Sequence, residues 1–157
     1  LLLVVLFILI NNNIKLMLTP AKGKWLLKRY QADASVTFTM GDLVSLSAGE
    51  LVTATAQSTK HIGIIMESIT SGDSDFATGR KVSVAIPSGG QDATFYATVT
   101  GTLATTDVGV TFDMSTAGLV NKAGTTYDVV TCVGFLTTAK GEFILNSDQA
   151  YADPNWE

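Results

Sequence analysis

The sequence predicts an all-β protein: a small β-barrel or sandwich of about eight to ten short strands with an extended N-terminal arm. Three observations carry this. Apolar residues alternate with polar ones over short stretches, the period of a strand with one buried face. Fourteen glycines and only three prolines, among abundant Thr, Val and Ala, suit tight turns between short strands. No stretch combines helical spacing with the length of a long helix. The chain has 157 residues, 46% of them apolar and 15% charged. That is enough for one domain with a real core and too apolar for disorder. We divide it into an N-terminal arm (1–30, apolar then basic), a β-barrel body (31–147) and an acidic tail (148–157).

Leu1 to Ile10 is an uninterrupted apolar run closed by Asn11, Asn12 and Asn13. It is short of the roughly 17–25 residues of a membrane span. Its length suits a secretory signal core, but the basic flank and small-residue cleavage site of such a signal are missing from the sequence in hand. Val4, Val5, Phe7 and Ile8 are good strand formers and favour an extended arm, covered by the body or by another subunit because it would aggregate if bare. Met17 offers an internal start, which would make residues 1–16 a processed remnant or a loosely defined start. Thr19 and Pro20 could open a short helix running through Trp25, Leu26, Leu27 and Tyr30, a reading that Gly23 weakens. An extended segment with Trp25 as an anchor fits equally, either at an interface or over an open barrel end.

Residues 1–32 hold Lys15, Lys22, Lys24, Lys28 and Arg29 and no acid, a charge of +5, whereas the rest of the chain carries −9. A basic arm on an acidic body points to docking on an acidic protein surface, including that of a neighbouring copy. Phe7, Ile8, Lys22, Lys24, Trp25, Lys28 and Arg29 are the candidate partner-binding residues. Nucleic acid is disfavoured, because five basic residues make a small footprint and the body would repel phosphate.

In the body, Val36, Phe38 and Met40 alternate with Thr37 and Thr39 as a half-buried strand. Leu43, Val44 and Leu46 form the next strand, Ser47–Gly49 reverses the chain, and Leu51 to Thr55 leads away. Residues 57–60 are a polar turn and 61–67 a short apolar strand. Residues 71–79 are a loop; its Asp73 and Asp75 hint at calcium, but the third ligand, central glycine and closing glutamate of a calcium loop are missing. Val82, Val84 and Ile86 point inward from a strand ended by Pro87, and a turn covers 88–92. Phe95, Ala97 and Val99 share a face of the next strand. Val108, Val110, Phe112 and Met114 then alternate with Gly109, Thr111 and Asp113. Leu119 and Val120 form a short strand. Tyr127 to Leu136 is the longest strand, apolar on both faces and therefore central or at a subunit contact. A turn at Lys140 and Gly141 leads into a last strand ending at Asn146. No long helix or solenoid repeat is evident.

Catalytic chemistry has little to work with. His61 is the single histidine and sits among isoleucines, as a strand-edge or core residue would. Cys132 is the single cysteine, so no internal disulfide can form, and its apolar strand disfavours the reactive thiolate. Together they fall short of a four-ligand zinc site. No glycine-rich phosphate loop lies between a strand and a helix. The expectation is no enzyme, no cofactor and no metal.

Several segments together resemble the capsid decoration, or cement, proteins of tailed bacteriophages. They are Phe38 to Leu46, Ala48 to Ala54, Ile62 to Met66, Val82 to Pro87, Asp107 to Met114, Cys132 to Leu136 and Lys140 to Phe143. The resemblance covers roughly residues 36–146, and residues 1–16 depart from it. It implies a β-rich protein on the outer surface of an icosahedral head, often trimeric, clamping neighbouring major capsid protein subunits, with no membrane partner. A β-rich cell-surface or glycan-binding module is the alternative, permitted by the Thr-rich faces and Trp156. A small hydrolase dependent on His61 is the third reading.

Overall fold

The alternation in the sequence becomes eleven strands in a computed structural model of the protein, which describes residues 18–54, 61–88 and 92–146. They are β1 (Thr19–Lys22), β2 (Trp25–Gln31), β3 (Leu43–Ser47), β4 (Glu50–Thr53), β5 (His61–Ile65), β6 (Lys81–Pro87), β7 (Thr94–Thr100), β8 (Thr111–Thr116), β9 (Leu119–Asn121), β10 (Val130–Thr137) and β11 (Lys140–Leu145). Helical structure among the described residues is confined to single 3-10 turns such as Phe76–Thr78 and Thr105–Asp107.

Strands β7, β11, β10, β8 and β9 form a closed barrel. Closure comes from the parallel pairing of β9 on β7, through Val99↔Val120 and Thr100↔Asn121. β1 pairs with the earlier part of β7 at Thr19↔Tyr96 and Pro20↔Phe95. The other five strands make a second sheet in the order β2, β6, β5, β3, β4. That sheet also curls on itself, because Ala32, just after β2, makes a parallel bridge to Leu51 of β4. Phe95, Ala97, Val99, Phe112, Met114, Val120, Cys132 and Phe143 fill the barrel core. Val44, Leu51, Ile65, Val82 and Val84 fill the second sheet. Leu43, Ala54 and Ile64 leave the second sheet to join the barrel's cluster. The Leu43 amide donates to the Ala117 carbonyl at 2.6 Å, so the two units share a packed seam.

The two units are one design used twice. Taken in chain order, β2 to β6 and β7 to β11 occupy the same places in their sheets. The registers coincide as well. Tyr30↔Val82 and Gln31↔Lys81 correspond to Ala97↔Gly141 and Thr98↔Lys140. Ile65↔Val84 corresponds to Cys132↔Phe143, and Ala32↔Leu51 to Val99↔Val120. Even the strand entry repeats. Gly41 (φ 89) donates its amide to the Ile65 carbonyl while the Ile65 amide donates to Asp42. Gly109 (φ 90) donates to Cys132 while Cys132 donates to Val110. Each is a bulge with a left-handed residue in its first position, where glycine carries no side-chain penalty. A five-stranded unit buries little surface alone, and pairing two units gains a common core.

The hairpin expected around Gly49 is present, with Ser47↔Glu50 closing a two-residue turn. Ala48 (φ 51) and Gly49 (φ 87) both have positive φ, the arrangement whose twist suits adjoining strands. Ala48 is exposed and sits where asparagine is more at ease. Ala48→Asn is expected to raise stability by about 0.5–1 kcal/mol, read as a higher urea midpoint at unchanged slope.

Several expectations are corrected. Val36 to Met40 is not a strand: Phe38 makes only an isolated bridge to Ile69, and Met40 is exposed, because the chain turns at Thr39–Asp42. Val108 and Val110 do not face inward. They sit in the turn and bulge before β8, and Asp113 is buried instead, accepting the amides of Thr126, Tyr127 and Asp128. The longest strand begins at Val130 rather than Tyr127. Of the two readings of the segment after Thr19 the extended one holds, as strands Thr19–Lys22 and Trp25–Gln31, and the expected arm boundary at residue 30 falls inside β2. Residues 1–17 with Phe7 and Ile8, the turn at 57–60 and the tail 148–157 lie outside the described residues.

Candidate interaction surface

The described basic residues of the N-terminal segment fall into two groups. Lys22 is bound to the chain's own body. Its Nζ lies 2.9 Å from Glu142 Oε2, while the Thr94 hydroxyl donates to Glu142 Oε1 at 2.6 Å. This links β1, β7 and β11 through one carboxylate. The Thr94 hydroxyl first, and Lys22 after it, hold the Glu142 carboxyl below its ordinary range, and the Glu142 partner raises the Lys22 ammonium. Trp25 is half-buried against the barrel core, with its ring N–H donating to the Lys22 carbonyl at 3.0 Å. It therefore anchors the segment to its own molecule.

The second group lies on β2 and just before it. Lys24 and Arg29 are exposed, Lys28 is half-buried, and Leu27 between them is 70% exposed. The alternation of the strand places Leu27 and Arg29 on the same outward face. Arg29 is steadied by donation from its guanidinium to the Lys81 carbonyl at 2.7 Å, and Lys81 adds a further exposed cation beside it. The result is an apolar and cationic strip on a chain whose remaining residues are strongly acidic.

A second surface lies on the barrel. Val108, Val110, Val133, Phe135 and Leu136 are exposed by 47, 39, 40, 36 and 40%. The sequence placed this strand as central or at a subunit contact; β10 pairs with β8 only at Val130 and Thr131. The repeat of Gly41 at Gly109 is the sequence signal that marks where β8 leaves β10.

The other side chains weighed for catalysis or metal binding are placed as follows. His61 is fully buried, with Nδ1 3.3 Å from the Ser45 hydroxyl. It is thus the core histidine of the two expected alternatives. Cys132 is buried, which raises its thiol above the usual range. Asp73 accepts the Thr70 amide at 2.9 Å, and Asp75 faces Arg80 at 3.5 Å. Among the described residues no three His, Cys, Asp or Glu side chains converge as metal ligands would. A shallow open depression of about 520 Å³ beside Thr100, Gly101, Asn121 and Lys122 contains a lysine already paired with Asp107 at 2.7 Å.

No family model matches the sequence, and no curated protein matches it.

Proposed function

We propose that this chain is a non-catalytic virion structural protein. In this reading it is a decoration, or cement, subunit on the outer capsid surface of a phage head, bound to the major capsid protein as a homo-oligomer. The observation that carries the reading is the strip on β2: exposed Leu27 set among Lys24 and Arg29 on an otherwise acidic molecule. Such a strip suits an acidic partner with an apolar spot, and the same acidity disfavours nucleic acid. The resemblance over residues 36–146 supports the setting. A subunit that binds only the expanded shell stabilises that state by mass action, and linked protomers multiply weak contacts.

The test is uptake by purified heads that lack the protein. The wild type is expected to bind at a fixed ratio to the major shell protein. Leu27→Asp combined with Arg29→Glu is expected to bind at least tenfold more weakly, with an unchanged circular dichroism spectrum. Removal of residues 1–17 tests the arm without touching β1 or β2, whereas removal of 1–30 would take strands from both sheets. Absence of uptake by the wild type, or full occupancy by the double variant, would overturn the reading.

A further inference from the structure

We infer that the outer edge of β2, at Leu27 and Arg29, takes an added strand from its partner: an extended acidic peptide segment with an apolar residue between its acids. The register of β2 on β6 is unbroken from Trp25↔Pro87 to Gln31↔Lys81. The Ser88 amide donates to the Lys24 carbonyl, and the Ala32 amide to the Arg80 carbonyl. Even-numbered residues from Lys24 to Ala32 therefore turn their backbone groups toward β6. Odd-numbered residues turn theirs away, since alternate residues of an antiparallel strand bond on opposite sides. Asp33 does so, its amide donating to the Leu51 carbonyl of β4. The outward backbone groups of Leu27 and Arg29 have no backbone partner among the described residues.

The barrel shows how the same place is filled when a strand is supplied. In the repeat, Leu27↔Ala85 corresponds to Thr94↔Ile144, and Arg29↔Ser83 to Tyr96↔Glu142. Thr94 and Tyr96 are where β1 lies on β7, through Lys22↔Thr94 and Thr19↔Tyr96. β1 is antiparallel to β7 and brings Lys22 to within 2.9 Å of Glu142, two strands away. One unit thus takes an extra strand at this edge, and a cation on that strand meets an acid of the sheet.

The first unit reverses the charge at that edge. Ser83 stands where Glu142 does, and Arg29 where Tyr96 does. Lys24 and Lys81 add exposed cations close by. Glu67, which accepts the Ser83 amide at 2.9 Å and lies within the field of Arg29, offsets one of these charges. Such an edge repels a lysine-bearing strand like β1 and suits one with carboxylates. Directly opposed residues of paired strands share a face. An acid opposite Arg29 and an apolar residue opposite Leu27, which is 70% exposed, are therefore the matching pair. Backbone bonds supply the affinity of an added strand, and such side-chain pairs its selectivity. This names the form of the acidic partner proposed above and rests on that reading for its setting.

The test uses the full chain, without heads, and a blocked peptide Thr-Glu-Thr-Val-Thr-Glu-Thr, whose Glu and Val share one face of a strand. In the free chain the Leu27 and Arg29 amides are expected to exchange rapidly with solvent. The peptide is expected to bind saturably and slow both at least tenfold. The same peptide with Lys for Glu, or N-methylated at its Val with charge unchanged, is expected to bind at least tenfold more weakly. Arg29→Glu is expected to reverse the preference between the Glu and Lys peptides. Absence of saturable binding overturns the inference, as does equal binding of the N-methylated peptide, which would mean charge attraction without strand pairing. Protection of both amides in the free chain, by its own tail or by a second copy, also overturns it. Heads that take up the wild type while the peptide fails would remove the added strand alone; peptide binding without uptake by heads would uphold the strand and remove the capsid setting.

Discussion

Gly63→Ala is expected to destabilise the protein by about 3 kcal/mol or more, although it adds a single methyl group. Gly63 is buried in β5, opposite Val44 of β3, with Ile62, Ile64 and Ile65 buried around it. A Cβ placed there would lie 2.1 Å from the Ala85 carbonyl oxygen and 3.1 Å from Val84 Cγ1. The first obstacle is backbone of the neighbouring strand, so β6 must move and take the β5–β6 pairs, Ile64↔Ala85 and Ile65↔Val84, with it. Close-packed interiors yield little to such a demand. Gly72→Ala is the control: its nearest atom to a new Cβ is the Thr70 hydroxyl at 3.8 Å, and a change within about 0.5 kcal/mol is expected. Urea unfolding of the two variants checks both values. Equal midpoints would show that β6 can retreat freely. Val130, the counterpart of Gly63 in the barrel and fully buried, shows that the repeat itself does not require glycine there. The close approach of β6 does.

Much of the body was legible because period-two alternation is a direct imprint of a half-buried strand. Val82, Val84 and Ile86 are buried on β6, and Phe95, Ala97 and Val99 on β7, as their spacing predicts. The reading failed where alternation is produced by something other than a strand. Val108 and Val110 alternate with Gly109, but the glycine is the left-handed residue of a bulge and rotates both valines to the surface. Val36 to Met40 alternates too, yet the Asp42 carboxylate accepts the Thr39 amide at 2.9 Å and the segment closes into a turn. The duplication was hidden because its two copies share backbone geometry more than side chains. Val44 stands where Phe112 does, Ile65 where Cys132 does, and the long 66–80 connection breaks the spacing before the last strand. The basic segment was legible as charge alone. That Lys22 would be spent on Glu142 while Leu27 and Arg29 face outward follows from register, which composition does not carry.

Between pH 6.5 and about 4 the folded protein is expected to lose roughly 3 kcal/mol of stability through His61 alone. The imidazole is fully buried, its Nδ1 faces the Ser45 hydroxyl, and its Nε2 has no partner among the described residues. Burial disfavours the charged ring and lowers its pKa from 6.5 to about 4. The unfolded chain takes up a proton as pH falls through 6.5, while the folded chain stays neutral until about 4. Acid therefore favours unfolding across that window, and below it the effect levels off. Glu67, Asp107 and Glu142, all held below their ordinary values, contribute stability that is lost lower still, as pH falls through the carboxylate range. The interval from pH 6.5 to 5 thus isolates the histidine. Urea unfolding across it should show stability falling toward about 1.4 kcal/mol per pH unit at the acid end in the wild type. His61→Phe keeps an aromatic ring in the core and cannot titrate, so its stability should be flat over the same interval. A flat wild-type profile, or an equal fall in both proteins, would mean that the ring reaches water or a hydrogen-bond acceptor when protonated. That outcome would remove His61 as the source of acid sensitivity.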